Sequence, residues 1–306
     1  MTLRILFLLA LCTLSTLAYG QEDKVRKTVY QTFKDTRVIN AHSVETLKAG
    51  MLDFRIGHRF GDIAGPEGGW ETFWGLEEAA DVLIGFEYGI TDRLMIGISR
   101  TNGGLSELNG ITLPKANING LIKYRLATQD NVGTPFSIAL LGHMTASTGK
   151  KSSSPSDLNF FSKTEHRFSY HGEFMIGKKF SPYLSLQLSG AWTYRNIIPN
   201  ADNTGGVADQ NDLVSAGLTA RVQMNKATAI ILDGRFIFSD LRTAENGYYL
   251  PLGIGLEWET GGGHVFQINL TNATGLVETD YIPYTRSNWL DGGYRLGFTI
   301  GRQFRL

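Results

Sequence analysis

The chain has 306 residues, with 29 Lys and Arg against 29 Asp and Glu, so its formal net charge at pH 7 is zero. This balance, together with the lack of any basic run, argues against a nucleic-acid partner. The single cysteine, Cys12, lies close to the N-terminus. If the first residues are removed, the remaining chain contains no cysteine. This excludes disulfides, thiolate catalysis and cysteine-ligated metals.

Residues 1–20 have the pattern of a secretory signal peptide. Arg4 precedes an apolar run from Ile5 to Leu17, and Ala18 and Gly20 occupy the small-residue positions of a cleavage site. The run of about 13 apolar residues is too short to cross the hydrocarbon core of a bilayer. We therefore expect export, with the processed chain beginning at Gln21.

Residues 21–50 are polar and come before any regular pattern. They predict either a lead-in on the periplasmic side or a segment that folds into the interior of the following domain. The sequence alone leaves both alternatives open.

Residues 51–306 alternate between apolar and polar side chains in repeated short runs, which is the pattern of β-strands with one apolar face. In the first run, Leu52, Phe54 and Ile56 share one face, while Asp53 and Arg55 lie on the other. The pattern predicts twelve strands, at about 51–60, 81–90, 93–101, 117–126, 135–146, 166–178, 183–194, 212–224, 227–238, 248–259, 264–271 and 294–306.

The second and third predicted strands form a hairpin whose turn can be inferred from side-chain parity. The apolar pattern places Ile90 and Leu94 on the same face. Because paired residues share a face, a two-residue loop would instead pair Ile90 with Arg93. We therefore predict a loop of odd length, most simply Thr91-Asp92-Arg93.

The connections alternate between short links and long polar loops, with both chain ends on the side of the short links. This alternation is typical of outer-membrane barrels, and in hydrocarbon a sheet must close because open edges leave backbone groups unpaired. Aromatic residues near strand ends, including Tyr124, Tyr248 and Trp258, predict interfacial girdles. The expected fold is all-β: a closed, antiparallel, up-and-down transmembrane barrel of about twelve strands, with short periplasmic turns and long external loops.

Four stretches also resemble a known family. They are INAHSVETLKAGMLDFRIGHRFGD (39–62), FEYGITDRLMIGISR (86–100), NGLIKYRL (119–126) and ETGGGHVFQINLTN (259–272). They are similar to the DUF5777 family of β-barrel proteins from Bacteroidetes-type bacteria. The resemblance implies an outer-membrane barrel of unassigned activity and supplies no catalytic residues.

The face opposite the apolar one carries acids and bases in a mixed arrangement. A polar pore lining would tune solute selectivity, whereas a salt-bridge network would fill the lumen. Twelve strands lie between the filled barrels of about eight strands and the open ones of 16–18, so both alternatives remain. The candidate lumen-lining residues are Asp53, Arg55, Arg59, Glu87, Lys123, Arg125, Glu173, Arg221, Asp233, Arg235 and Glu257.

The histidines give little support for a metal site or an enzyme. His166 and His171 fall on opposite faces of one predicted strand, which argues against a shared metal. His58 and His264 fall on the lipid-facing side, which leaves a lipid-modifying enzyme as the weakest alternative. The chain contains no Gly-x-Ser-x-Gly, His-Glu-x-x-His or phosphate-loop motif. We therefore predict no cofactor, no metal and no enzymatic activity.

Two functions fit this pattern better. The first is a pore or channel for a small solute in the outer membrane of a bacterium with two membranes. The second is a non-conducting structural or docking barrel that acts through loops 61–80 and 272–293, the first of which carries Trp70, Phe73 and Trp74. The expected partners are outer-membrane lipid, the barrel-assembly machinery and the small solute.

Overall fold

A computed structural model describes residues 27–29, 31–77, 79–103, 107–108, 111–112, 116–155, 157, 159–198 and 208–306. The predicted signal peptide lies outside these residues. Twelve strands, β1 to β12, form the domain: Met51–Asp62, Ala79–Gly89, Leu94–Gly103, Ala116–Ala127, Ser137–Ser147, Phe168–Lys179, Leu184–Arg195, Asp212–Gln223, Thr228–Phe238, Leu252–Thr260, His264–Thr271 and Arg295–Arg305.

Each strand pairs antiparallel with its neighbours in the chain, and β12 pairs with β1 to close the barrel. At this seam Ile300 lies opposite Ile56 and Phe298 lies opposite His58, with one irregularity near Arg295. Closure leaves the sheet without an edge, which is the condition for a sheet to exist in hydrocarbon. The predicted fold of twelve antiparallel strands is confirmed.

The two faces of the wall differ as the alternation predicts. Outward side chains are apolar and exposed, with 60% of Ile98 and 64% of Leu188 accessible. Inward side chains such as Asp53, Met95 and Lys123 are buried. The outward band is therefore the surface that contacts lipid, and the barrel interior is filled with atoms.

The short turns on the side of the chain ends are built alike. Ile90 N–H donates to the carbonyl oxygen of Leu94 at 2.9 Å, so the loop has three residues and its prediction is confirmed. The same hydrogen bond closes the turns at 181–183 and 225–227. Each of these three turns begins with an oxygen-bearing side chain that accepts backbone N–H groups two and three residues later.

The tenth strand departs from the sequence prediction. It begins at Leu252 rather than at residue 248, because Pro251 has no N–H to contribute to a ladder. Tyr248 is buried beneath the guanidinium groups of Arg242 and Arg286, at 5.4 and 4.3 Å from its ring centroid. Its prediction as a girdle residue was therefore wrong.

The longer connections lie at the opposite end of the barrel and carry the helical turns. Among the residues that the structure describes, one α-helix, α1, spans Glu278–Tyr284 between β11 and β12. Short 3₁₀ turns lie at Trp70–Thr72, Thr164–Arg167, Ala244–Asn246 and Trp289–Asp291. Among the described residues, no helix is long and apolar enough to cross a membrane.

Candidate functional site in the barrel interior

All eleven of the candidate lumen-lining side chains lie on the inner face of the wall. Ten are buried and Arg125 is half-buried. Some pair within the wall: Arg221 Nε lies 2.7 Å from Glu257 Oε1, and Arg235 forms an ion pair with Glu173. Asp53 pairs with Arg55 of the wall, and the remaining candidates contact chain segments that enter the lumen, so the inner face is occupied.

The first of these segments is residues 31–50, here termed the lumen segment. It runs inside the barrel before the chain turns into β1, and it forms a two-stranded bridge between Arg37–Val38 and Ala41–His42. Its apolar side chains pack against inward apolar residues of the wall. This cluster comprises Phe33, Val38, Ile39 and Val44 from the segment with Ala139, Leu141, Met175 and Ile231 from the wall.

Lys123 of β4 binds the lumen segment through its backbone. Its Nζ donates to the carbonyl oxygens of Thr36, Ser43 and Glu45 at 2.9, 3.1 and 3.1 Å. The side chain is fully buried, and a buried ammonium group is stable only when its donors are satisfied. Lys123 therefore fixes the path of the segment, which it meets on both sides of its two-stranded bridge.

Ion pairs also join the segment to the wall, and the segment supplies the acid in some of them and the base in others. In one of them, Arg55 donates through Nη1 to Asp35 Oδ2 at 2.9 Å and through Nη2 to Asp53 Oδ2 at 2.8 Å. Charges of the segment thus complement charges of the inner face. The pairs are Asp35 with Arg55, Arg37 with Glu87, Glu45 with Arg125, and Lys34 with Glu259.

Two buried glutamines of the wall complete the contact, and sequence reasoning missed them. Gln187 donates to His42 O at 2.8 Å and accepts from Val44 N at 2.8 Å. Gln267 donates to Arg37 O at 2.9 Å and accepts from Ile39 N at 3.2 Å. Each amide pairs with the segment as a neighbouring strand would. Their parity predicts the inward face, but an uncharged side chain gives no sequence signal for a binding role.

A second segment, the closing loop of residues 272–293, enters from the external end. Its helix α1 buries Tyr281 and Ile282 against Leu213 and Ile237 of the wall and against Ala273 of the loop itself. Thr279 Oγ1 lies 2.6 Å from Thr145 Oγ1 of β5. Both ends of the lumen are therefore closed by inserted chain.

The two inserted segments also meet each other. Arg59 of β1 donates to Asn40 of the lumen segment and to the carbonyl oxygens of Ala273, at 3.0 Å, and Gly275 of the closing loop. Nearby, Glu278 of α1 lies between His42 and His143. The sequence did not single out His42 and Glu278, because neither belongs to a strand of the barrel wall.

Open space remains at both mouths. A cavity of about 430 Å³ lies at the periplasmic mouth beside Lys34, Glu45, Lys48 and Arg125. A cleft of about 50 Å³ lies at the external end between α1 and the loop that precedes β6. Between the two, buried side chains of both inserted segments occupy the lumen.

The remaining histidines take separate places. His171 is buried on the inner face, where Nδ1 lies 2.8 Å from Thr193 Oγ1, while His166 lies in an external 3₁₀ turn. Within the part of the chain that the structure describes, no group of three or more His, Cys, Asp or Glu side chains is arranged to hold a metal.

A closed barrel with an apolar outer band and a polar, occupied interior defines the class of plugged membrane β-barrels. The chain belongs to the DUF5777 family, described as a membrane-bound β-barrel domain, whose model matches residues 33–304. Barrels of this construction reside in outer membranes, and this chain is an outer-membrane barrel. A comparison with curated proteins found no match.

Three solved structures to which the chain is similar are named as porins or a channel, all at low sequence identity. The NanC porin is 10% identical, covers 83% of this chain and 100% of its own, and has a TM-score of 0.48. An outer-membrane channel from Pseudomonas putida F1 is 15% identical, covers 85% and 98%, and has a TM-score of 0.46. The KdgM porin, solved with disordered oligogalacturonate, is 7% identical, covers 84% and 99%, and has a TM-score of 0.45.

Proposed function

We propose that the protein is an outer-membrane channel for a small polar solute, closed in this state by its lumen segment. The main support for this proposal is that residues 31–50 fill the interior without being strands of the barrel. Polar contacts bind them to the wall, foremost the three from Lys123. A twelve-strand wall is wider than the filled eight-strand type, so withdrawal of the lumen segment, together with movement of the closing loop, would leave a water-lined path.

Two hydroxyl contacts allow each inserted segment to be locked separately. Thr32 Oγ1 of the lumen segment lies 3.2 Å from Ser137 Oγ of β5, and Thr279 of the closing loop meets Thr145 in the same way. The only native cysteine, Cys12, lies in the predicted signal peptide. Paired cysteines at these positions would replace the two contacting hydroxyls by two thiols, the pairing that a disulfide requires.

The test is conductance in planar bilayers at pH 7.5 and at pH 5.5 for T32C/S137C and T145C/T279C, each under oxidising and reducing conditions. We expect stepwise conductance under reduction. Oxidation should abolish this conductance in the variant whose disulfide holds a blocking segment in place. Single-cysteine variants are the matched controls, since they carry the same substitutions without the bond. A barrel that stays electrically silent with both pairs reduced would refute the channel.

A second candidate is a non-conducting barrel that acts through its external loops. The apolar packing of Phe33 and Val44 inside the wall favours a permanently seated segment. In the first external loop, Trp70 and Trp74 are 73% and 44% exposed, with ring centroids 5.2 Å apart. Replacing both tryptophans with serine would abolish capture of an external ligand and leave heat-modifiable folding intact. Unchanged capture would rule this candidate out.

A lipid-modifying activity has the least support. His58, the histidine considered for it, lies between the rings of Phe60 and Phe298, with centroids at 4.4 and 5.4 Å. Such packing supports an interfacial aromatic role. Lipase activity that disappears in His58→Gln would contradict this assignment.

Assembly machinery is the remaining proposed partner. The strand that closes the barrel, β12, carries Phe304 next to its last residue, Arg305. An aromatic side chain near the end of the closing strand suits recognition before closure. Phe304→Ala should therefore lower the yield of assembled barrel in cells while leaving refolding of purified protein in detergent unchanged.

A further inference from the structure

A carboxylate bridges the two inserted segments inside the barrel. Glu278 of α1 places Oε1 3.7 Å from His42 Nε2 of the lumen segment and Oε2 3.1 Å from His143 Nδ1 of β5. The side chains of His42 and Glu278 are completely buried, and that of His143 is 1% exposed. One bridge thus connects the lumen segment, the closing loop and the wall.

The three side chains of this bridge are held together by electrostatic attraction and close packing more than by hydrogen bonds. Both carboxylate oxygens of Glu278 and both ring nitrogens of each histidine lack a hydrogen bond of acceptable geometry. Buried polar groups in this condition are costly, and their energy changes strongly with the charge they carry. The junction of the segments is therefore a part of the closed interior that is sensitive to protons.

Other charges around the bridge determine the direction of that sensitivity. Arg37 faces His42 across the two-stranded bridge, and Lys123 binds the carbonyl of the adjacent Ser43. His42 belongs to the inserted segment and not to a membrane-spanning strand. Burial, followed by Arg37 and Lys123, holds its pKa well below the ordinary 6.5, and the opposing effect of Glu278 is smaller. The further titratable or charged groups that interact electrostatically with His143 or Glu278 are His171, Glu173, Arg235 and Tyr281.

The sign follows from proton linkage. A histidine whose pKa is depressed in the closed state binds a proton more readily once it reaches water. Closure is therefore fully favoured above the ordinary histidine pKa and is weakened as pH falls below about 6.5. One such group can shift the ratio of released to closed barrel by about tenfold between pH 7.5 and 5.5.

We propose that His42 is an acid sensor that releases the lumen segment, a regulation that rests on the proposed channel function. Protonation puts a third cation beside Arg37 and Lys123 in a space without water access. The lumen segment then leaves its place against Glu278 and the wall. Acidification of the periplasm is the signal to which the closed barrel responds.

The experiment follows full-length protein in liposomes at pH 7.5 and 5.5 by two readouts. Hydrogen exchange of residues 32–46, corrected for intrinsic exchange rates, reports release, and conductance reports opening. We expect about tenfold loss of protection at the lower pH in the native chain and none in His42→Gln. His58→Gln, which removes a lipid-facing histidine, should keep the full response.

The two proposals fail in different ways. Protection that is lost on acidification without any conductance would support the sensor and refute the channel. Conductance that appears on reduction of T32C/S137C, with protection that does not change between the two pH values, would overturn the sensor and leave the channel standing. An equal acid response in native protein and His42→Gln would also overturn it.

Discussion

The ammonium group of Lys123 lies 2.9 Å from the carbonyl oxygen of Thr36, deep inside the barrel. The same group reaches two more carbonyls of the lumen segment, at Ser43 and Glu45. A single wall residue therefore binds the segment on either side of its two-stranded bridge. This arrangement makes Lys123 the contact whose loss should release the segment most completely.

Lys123→Met should release the lumen segment while leaving the barrel folded. Hydrogen bonds to charged groups contribute about 1.5–3 kcal/mol each, partly offset by the cost of burying the charge, so we expect a loss of about 3 kcal/mol. Hydrogen exchange at residues 36–45 and urea unfolding in detergent measure it. Lys178→Met is the control, since Lys178 faces outward over Phe136 and Phe180. Equal effects of the two variants would contradict this role.

Removal of Arg55 should lower the free energy of unfolding more than removal of its partner Asp35. Arg55→Met leaves two buried carboxylates, Asp35 and Asp53, without their cation, which costs about 3–5 kcal/mol for an uncompensated buried charge. Asp35→Asn leaves Arg55 paired with Asp53 at 2.8 Å and should cost less, about 1–2 kcal/mol. Unfolding free energies of the two variants decide the point. Equal losses would show that Asp53 does not share the guanidinium.

Gln187→Leu should free one stretch of the lumen segment. The change removes the two hydrogen bonds to His42 O and Val44 N, a loss of about 2 kcal/mol at about 1 kcal/mol each. Exchange of the Val44 amide should rise while that of Ile39, bound by Gln267, stays protected. Gln187→Glu is a useful companion, because it keeps the acceptor for Val44 N but loses the donor. If both amides change together, the segment moves as one unit.

The first short turn can be tested by its capping oxygen. Thr91 Oγ1 accepts from the backbone N–H groups of Arg93 and Leu94 at 3.2 and 3.0 Å. Thr91→Val keeps the side-chain shape, removes this acceptor and should destabilise the barrel by about 1 kcal/mol. Thr91→Ser retains the oxygen and should cost only a few tenths. A valine variant as stable as the native chain would show that the turn does not depend on the cap.

The wall could be predicted from the sequence because a period of two is a local property. In hydrocarbon each outward position must be apolar, so residues such as Ile98 and Leu218 reveal their face without knowledge of any partner. Strand ends were less certain. The start of β10 depended on Pro251 and on the burial of Tyr248 under two arginines, which links residues that are distant in the sequence.

The interior could not be predicted in the same way. The inward charges were recognised by parity, but their partners lie on segments without periodicity. Asp35 meets Arg55, and Glu278 meets His42 across 236 positions of the chain, the difference of 278 and 42. A polar stretch such as residues 31–50 predicts a periplasmic lead-in as well as a plug. Only its complementarity to the inner wall, seen in three dimensions, distinguishes the two.

The central claim is that the lumen segment closes a path through the barrel. The most direct test records one bilayer containing oxidised T32C/S137C at pH 5.5, before and after a reductant is added to the bath. We predict a silent membrane that acquires stepwise conductance on reduction, while single-cysteine controls conduct throughout. Conductance of the same size before and after reduction, in protein whose disulfide is shown to have formed, would contradict the account.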